Sequence, residues 1–246
     1  MADDSKAFYL GYAAAPPAAV RTWLKRSVPS LLLATGLVLG FFAGAQQPVA
    51  TATFEFGAPK TVSGIVVLDP YPALLITEGE HLQRVHLVGE GKHGADMRAY
   101  AGQAVSLSGT LIERGAGRMY EVVAGSVTVT DPAPVVPERS TRRLGAASGR
   151  GEIVDSKCHL GVMQPGEGTG HRACAIRCIN GGVPPLFVST GDNGQPRYWL
   201  LTDVHGEPLG AGILPLVGKR VEIAGELIEL GNTHYLRVDP ERTRLL

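Results

Sequence analysis

The feature that most constrains this chain is a pattern it contains twice. Gly102-Gln-Ala-Val-Ser-Leu-Ser-Gly109-Thr-Leu-Ile-Glu113 and Gly218-Lys-Arg-Val-Glu-Ile-Ala-Gly225-Glu-Leu-Ile-Glu229 both read Gly-x-x-Val-x-φ-x-Gly-x-Leu-Ile-Glu, where φ is apolar. Each is preceded by a second shared piece, Val62-Ser-Gly64-Ile-Val-Val-Leu-Asp69 or Gly149-Arg-Gly151-Glu-Ile-Val-Asp155, and followed by a tyrosine, Tyr120 or Tyr235. Self-similarity of this kind marks one structural unit used twice. The period-two alternation in Val105-Ser-Leu-Ser and Val221-Glu-Ile-Ala predicts half-buried strands. The glycines that follow suit sharp strand bends at barrel corners. With 32 Gly, 17 Pro and only 6% aromatic residues, short strands and turns are favoured over a helical bundle.

About five strands per unit predict an all-β fold of two tandem OB-like small barrels, with a β-sandwich as the alternative. The first spans residues 58–130 and the second residues 148–246. Residues 131–147, which include Asp131-Pro-Ala-Pro-Val-Val-Pro137 and Ser140-Thr-Arg-Arg143, read as a Pro-rich linker with a polar end.

Before the barrels, residues 27–45 run for 19 positions without a charge, close to the ~20 needed to span hydrocarbon. Arg21, Lys25 and Arg26 precede the run, and the next basic residue after it is Lys60. The positive-inside rule therefore leaves residues 1–26 cytoplasmic and sends the barrels across the membrane. Ala43-Gly44-Ala45 also fits the small-x-small pattern of signal-peptide cleavage, so the run is either an anchor or a cleaved signal.

The two copies differ in length. Gly64 to Gly109 is 45 residues and Gly151 to Gly225 is 74, an excess of 29 that falls mostly between Asp155 and Leu186. This insertion, about residues 156–185, holds all three cysteines, Cys158, Cys174 and Cys178, together with His159 and His171. A barrel that closes without it in copy one should not need it in copy two. Cys174 and Cys178 are four apart, so a helix limited by Gly170 and Gly181-Gly182 puts both sulfurs on one face, with His171 near it. Cys158, His171, Cys174 and Cys178 would form a Cys3His set suited to tetrahedral zinc, and the same donors could hold copper or serve haem iron. His159 and Met163 are further candidate ligands. No paired C-x2-C and no C-x-x-C-H is present. In an exported protein the bland reading is a disulfide from Cys158 to Cys174 or Cys178 that pins the loop. Thiol–disulfide chemistry, with Arg172, Arg177 and His171 lowering a thiol pKa, is the third reading.

Other signals are weaker. His81, His86, His93, His205 and His234 read as solvated or hydrogen-bonded residues of strands and turns. Glu226 and Glu229 read as surface carboxylates, and Glu152 and Asp155 as neighbours of the insertion. No G-x-S-x-G, H-E-x-x-H or P-loop is present, so no catalytic residue is assigned. Basic and acidic residues balance at 23 each, which with few aromatics argues against nucleic acid as a partner.

Through Val154-Asp-Ser-Lys-Cys158-His-Leu-Gly-Val-Met163 and His171-Arg-Ala-Cys-Ala-Ile-Arg-Cys178-Ile-Asn-Gly-Gly-Val-Pro-Pro185, the chain resembles a group of uncharacterised bacterial membrane-anchored proteins. Those occur alongside molybdopterin oxidoreductases or b-type cytochromes. The resemblance covers residues 150–187 and assigns no ligands. It implies a bacterial inner-membrane protein with periplasmic barrels, and a protein partner in a membrane redox complex. The expected function is an accessory or assembly subunit of such a complex, a binding protein rather than an enzyme. The alternative is a non-redox module that binds a protein or glycan.

Overall fold

A computed structural model describes residues 16–45, 51–79, 81–130, 141–191 and 194–246. The chain divides into two units at residues 49 and 50. The first contributes helix α1, Ala18–Ala45, which is long and apolar enough to cross a membrane and buries none of its residues. It begins nine residues before the uncharged run, so the basic residues Arg21, Lys25 and Arg26 lie on the helix. It also continues through Pro29, where Ser27 and Ser30 donate their hydroxyls to the carbonyls of Trp23 and Arg26.

The second unit holds two closed barrels of five strands each. Barrel 1 comprises β2 (Lys60–Val67), β3 (Ala73–Glu78), β4 (His81–Val88), β5 (Ala104–Arg114) and β6 (Gly117–Val122). A short β1 (Ala52–Phe54) and β7 (Thr128–Val129) pair with β5 from outside the five-strand cycle. β2, β3 and β4 form an antiparallel meander, and β4 runs parallel to β6. β6 then pairs antiparallel with β5, which returns to β2 and closes the barrel.

Barrel 2 repeats this order with β8 (Thr141–Asp155), β9 (Pro185–Thr190), β10 (Pro196–Thr202), β11 (Arg220–Leu230) and β12 (Thr233–Val238). β10 is parallel to β12, β11 pairs with both β12 and β8, and a short β13 (Arg244–Leu245) flanks β11. This is OB-type connectivity in both copies. The repeated sequence pattern is strand β5 in one copy and β11 in the other, each eleven residues long.

The register explains why glycine recurs. Gly64 faces Val105 and Gly151 faces Val221, which are equivalent positions. A Cβ on Gly151 would sit 2.1 Å from the Val188 carbonyl oxygen, and one on Gly64 2.4 Å from that of Leu75. The two tyrosines, by contrast, are not equivalent. Tyr120 faces Leu111, whereas Tyr235 faces Ile228 and it is Leu236 that faces Leu227. A one-residue offset reverses the face of a strand side chain. Tyr120 therefore packs in the barrel 1 core with Leu74, Leu87 and Leu107, while Tyr235 points into a core that the barrels share.

That shared core joins Tyr71, Val88, Ile112 and Met119 of barrel 1 to Val154, Leu160, Leu200, Ile228 and Tyr235 of barrel 2. Barrel 2 keeps a separate interior around Ile153, Phe187, Leu201, Val221 and Ile223. Polar bonds cross the junction as well: Tyr71 donates to the Leu201 carbonyl at 2.6 Å, and Tyr235 Oη lies 2.9 Å from His86 Nε2.

The stretch expected to link the barrels is only partly a connector. Residues 131–140 lie outside the described set, but β8 already starts at Thr141 and pairs with β11 from there to Glu152. The reason is electrostatic as well as apolar. Arg142 pairs with Glu229 and Arg143 with Glu226, so the basic end of the expected linker meets the carboxylates of the repeat strand. The register shifts between Leu227 and Ile228, leaving Leu144 as a bulged residue beside Gly145.

Candidate metal centre

The insertion occupies the β8–β9 connection, residues 156–184. Its counterpart in barrel 1, residues 68–72, is a five-residue turn. The ends of the insertion are drawn together where Ser156 donates both its amide and its hydroxyl to the Pro184 carbonyl. Between them lie a wide helical turn, Cys158–Val162, and helix α2, Arg172–Asn180. The predicted limits of this helix hold: His171 is its N-cap and Gly181 its C-cap.

Asp155 organises the site. It ends β8 with no exposed surface, and its Oδ1 accepts the Cys158 amide at 2.8 Å, which starts the turn. Its Oδ2 lies 2.8 Å from His171 Nε2. The other imidazole nitrogen, His171 Nδ1, is buried with no hydrogen-bond partner. Helix α2 turns Ala175, Cys178 and Ile179 inward, while Cys174 stays half-buried.

Cys158 is shared by two clusters that between them include the other three expected ligands. Ligand atoms of Cys158, His171 and Cys174 all lie within 4.8 Å of one another, and so do those of Asp155, Cys158 and Cys178. The Sγ atoms of Cys158 and Cys178 are 4.0 Å apart, and no cysteine is bridged. A disulfide needs ~2.05 Å between sulfurs, whereas two thiolates at 2.3 Å on a tetrahedral ion lie ~3.8 Å apart. The observed spacing fits the ion. The bond from one thiol to the other splits the pair: it lowers Cys178 and, together with burial, raises Cys158.

Among the described residues barrel 1 contributes none of these donor atoms, but it seats the insertion. Lys92 Nζ lies 2.6 Å from Cys174 Sγ, a contact that raises the lysine pKa. Lys157, 1% exposed, crosses in the opposite direction to the Gly89 and Gly91 carbonyls and to Glu121. Gly94 donates its amide to the Gly181 carbonyl at 2.9 Å. A Cβ on Gly181 would sit 2.1 Å from the Lys92 carbonyl oxygen, so glycine there lets the two backbones touch.

His159 and Met163 lie elsewhere. His159 is buried edge-on to Tyr198, 3.5 Å from Glu167, and its pKa is lowered to about 4, first by burial and then by Arg114. Met163 is 40% exposed where the turn ends. The remaining loop is held by Glu152, which accepts the Gly168 amide. Sequence reasoning assigned no role to Lys92 or Lys157, and treated Asp155 only as a neighbour. The Asp155–Ser–Lys–Cys158 spacing was the one local signal, since an aspartate three before an amide at a turn can cap it.

No protein-family model, curated protein or solved structure matches the chain.

Proposed function

We propose that the insertion holds one soft metal ion, zinc or copper, with sulfur from Cys158, Cys174 and Cys178 and nitrogen from His171 Nδ1. The observations that carry this are the buried, unpartnered His171 Nδ1, with the opposite ring nitrogen on Asp155, and the grouping of His171 with Cys174, and of Cys178 with Asp155, around Cys158. A carboxylate behind a ligating imidazole is the usual outer support of such a site. Three thiolates around a divalent ion leave one negative charge, and the Lys92 ammonium at Cys174 offsets it. Donors gathered this closely suit a small ion better than haem, whose axial ligands approach from opposite sides of a wide macrocycle.

In this reading the chain is a membrane-anchored accessory or assembly subunit of a periplasmic electron-transfer complex. The apolar helix, the absence of a catalytic motif and the resemblance of residues 150–187 support it. Copper would give the subunit an electron-carrying role. Zinc, which has no redox chemistry, would make the centre a structural clasp for docking. Elemental analysis of the full chain purified in detergent is expected to find one ion per chain, lost in Cys158→Ser and Cys178→Ser variants. A metal-free protein with three titratable thiols after expression in metal-replete medium would overturn the reading.

A second reading takes the half-buried Cys174, whose sulfur lies 2.6 Å from Lys92 Nζ, as a reactive cysteine. It predicts rapid alkylation of Cys174 alone, insensitive to added metal.

A further inference from the structure

A cavity of about 570 Å³ lies between the barrels, within the range of small-molecule sites. Its walls come from β4 and the β5–β6 turn of barrel 1 and from β8, β10 and β12 of barrel 2. Three arginines line it, Arg84, Arg118 and Arg197, and among the described residues no aspartate or glutamate does. In a chain with equal numbers of basic and acidic residues this is an excess of basic side chains among the described lining residues.

Arg84 makes the excess consequential. It is only 4% exposed, and its guanidinium donates to the Asp69 carbonyl at 2.8 Å. Among the described residues no carboxylate forms an ion pair with it. A buried cation without an ion-paired carboxylate is costly, and an anion entering the cavity would relieve that cost. The rest of the lining includes the apolar side chains of Met119, Leu160, Leu186 and Leu200. Tyr198 and Trp199 are consecutive on β10 and present opposite faces, and the Arg197 guanidinium stands 5.4 Å from the Trp199 ring centre.

We propose that this cavity binds a small organic anion, its carboxylate, sulfonate or phosphate held by Arg84 and its apolar body against Met119, Leu160, Leu186 and Leu200. Guanidinium groups match such oxyanions in charge and in planar, two-pronged geometry. The site is separate from the metal centre and stands without it, although Leu160, two residues from Cys158, is part of its wall.

The test is calorimetric titration of the full chain in lipid nanodiscs, with empty nanodiscs subtracted. The probes are 2-naphthalenesulfonate, the neutral 2-naphthalenesulfonamide, and inorganic phosphate. The sulfonate is expected to bind one to one, roughly tenfold or more tighter than either other probe, as a charged hydrogen bond would give. Arg84→Met should remove that preference for the sulfonate over the sulfonamide while melting no lower than the parent, because it deletes an uncompensated charge. Arg197→Gln, at the cavity rim, should weaken the sulfonate too and serves if Arg84→Met unfolds. Equal binding of sulfonate and sulfonamide, or no binding of either at millimolar concentration, would overturn the proposal. Phosphate binding as tightly as the sulfonate would overturn its apolar half.

Discussion

His86 gives the sharpest test of the junction between the barrels. Its imidazole is buried, its Nε2 meets Tyr235 Oη, and its pKa is lowered to about 3, first by burial and then by the Arg84 charge. The unfolded chain should titrate this group near 6.5. Above that pH neither state binds the proton, and the group contributes nothing to pH dependence. Between pH 6.5 and 3 only the unfolded state is protonated, so stability falls as pH falls, by ~1.4 kcal/mol per unit. From pH 7.5 to 4.5 the loss is about 3 kcal/mol, and pH 4.5 lies above the folded value, so the native imidazole stays neutral. His86→Gln keeps an acceptor for Tyr235 and cannot titrate. Guanidinium unfolding of chelator-treated protein in a Trp23→Phe background, followed through Trp199, would give both stabilities. The parent-minus-variant difference should shrink by about 3 kcal/mol between pH 7.5 and 4.5. A difference that stays constant across that range would refute a buried neutral His86 at this junction.

Asp155→Asn should leave the barrels folded but lower metal affinity roughly 10–100-fold, as loss of an outer support to a ligating imidazole does; competition with a chromogenic chelator measures it. Lys157→Met strands Glu121 and two carbonyls, and should cost about 3–5 kcal/mol of unfolding free energy. A loss below ~1 kcal/mol would mean that Lys157 does not hold the insertion to barrel 1. Gly181→Ala forces a Cβ onto the Lys92 carbonyl and should destabilise by about 1–3 kcal/mol, measured by thermal melting. Arg142→Ala breaks an exposed pair and should change stability by less than ~1 kcal/mol.

Much of the barrel architecture was legible because it is carried by local alternation and by repetition. The eleven-residue strands β5 and β11, the glycines that face Val105 and Val221, and the limits of α2 could all be read from spacing. The cysteines and His171 read as neighbours because they lie within one short loop, and the structure groups Cys158 with His171 and Cys174 and, separately, with Asp155 and Cys178. What escaped depends on long-range partners. Lys92 reaches Cys174 across 82 residues, and Lys157 reaches Gly89 across 68, and a single lysine in a loop has no period to betray it. Tyr235 was misleading for a different reason. It stands near Tyr120 in the aligned copies, but a one-residue offset turns it out of its own barrel toward His86. The start of β8 was missed because Thr141-Arg-Arg is polar, and its strand identity comes from Glu226 and Glu229 of the partner strand.

Lys92, Gly94, Glu121 and the carbonyls of Gly89 and Gly91 all belong to the copy that has no insertion. Duplication has therefore divided labour between the twins: one carries the cysteines and the other is the mould in which they set. Because a chain is synthesised from its N-terminus, residues 52–130 exist before Cys158 is made. The cradle precedes its cargo, and the thiols can pass from the nascent chain into a prepared seat, with little time as exposed sulfur.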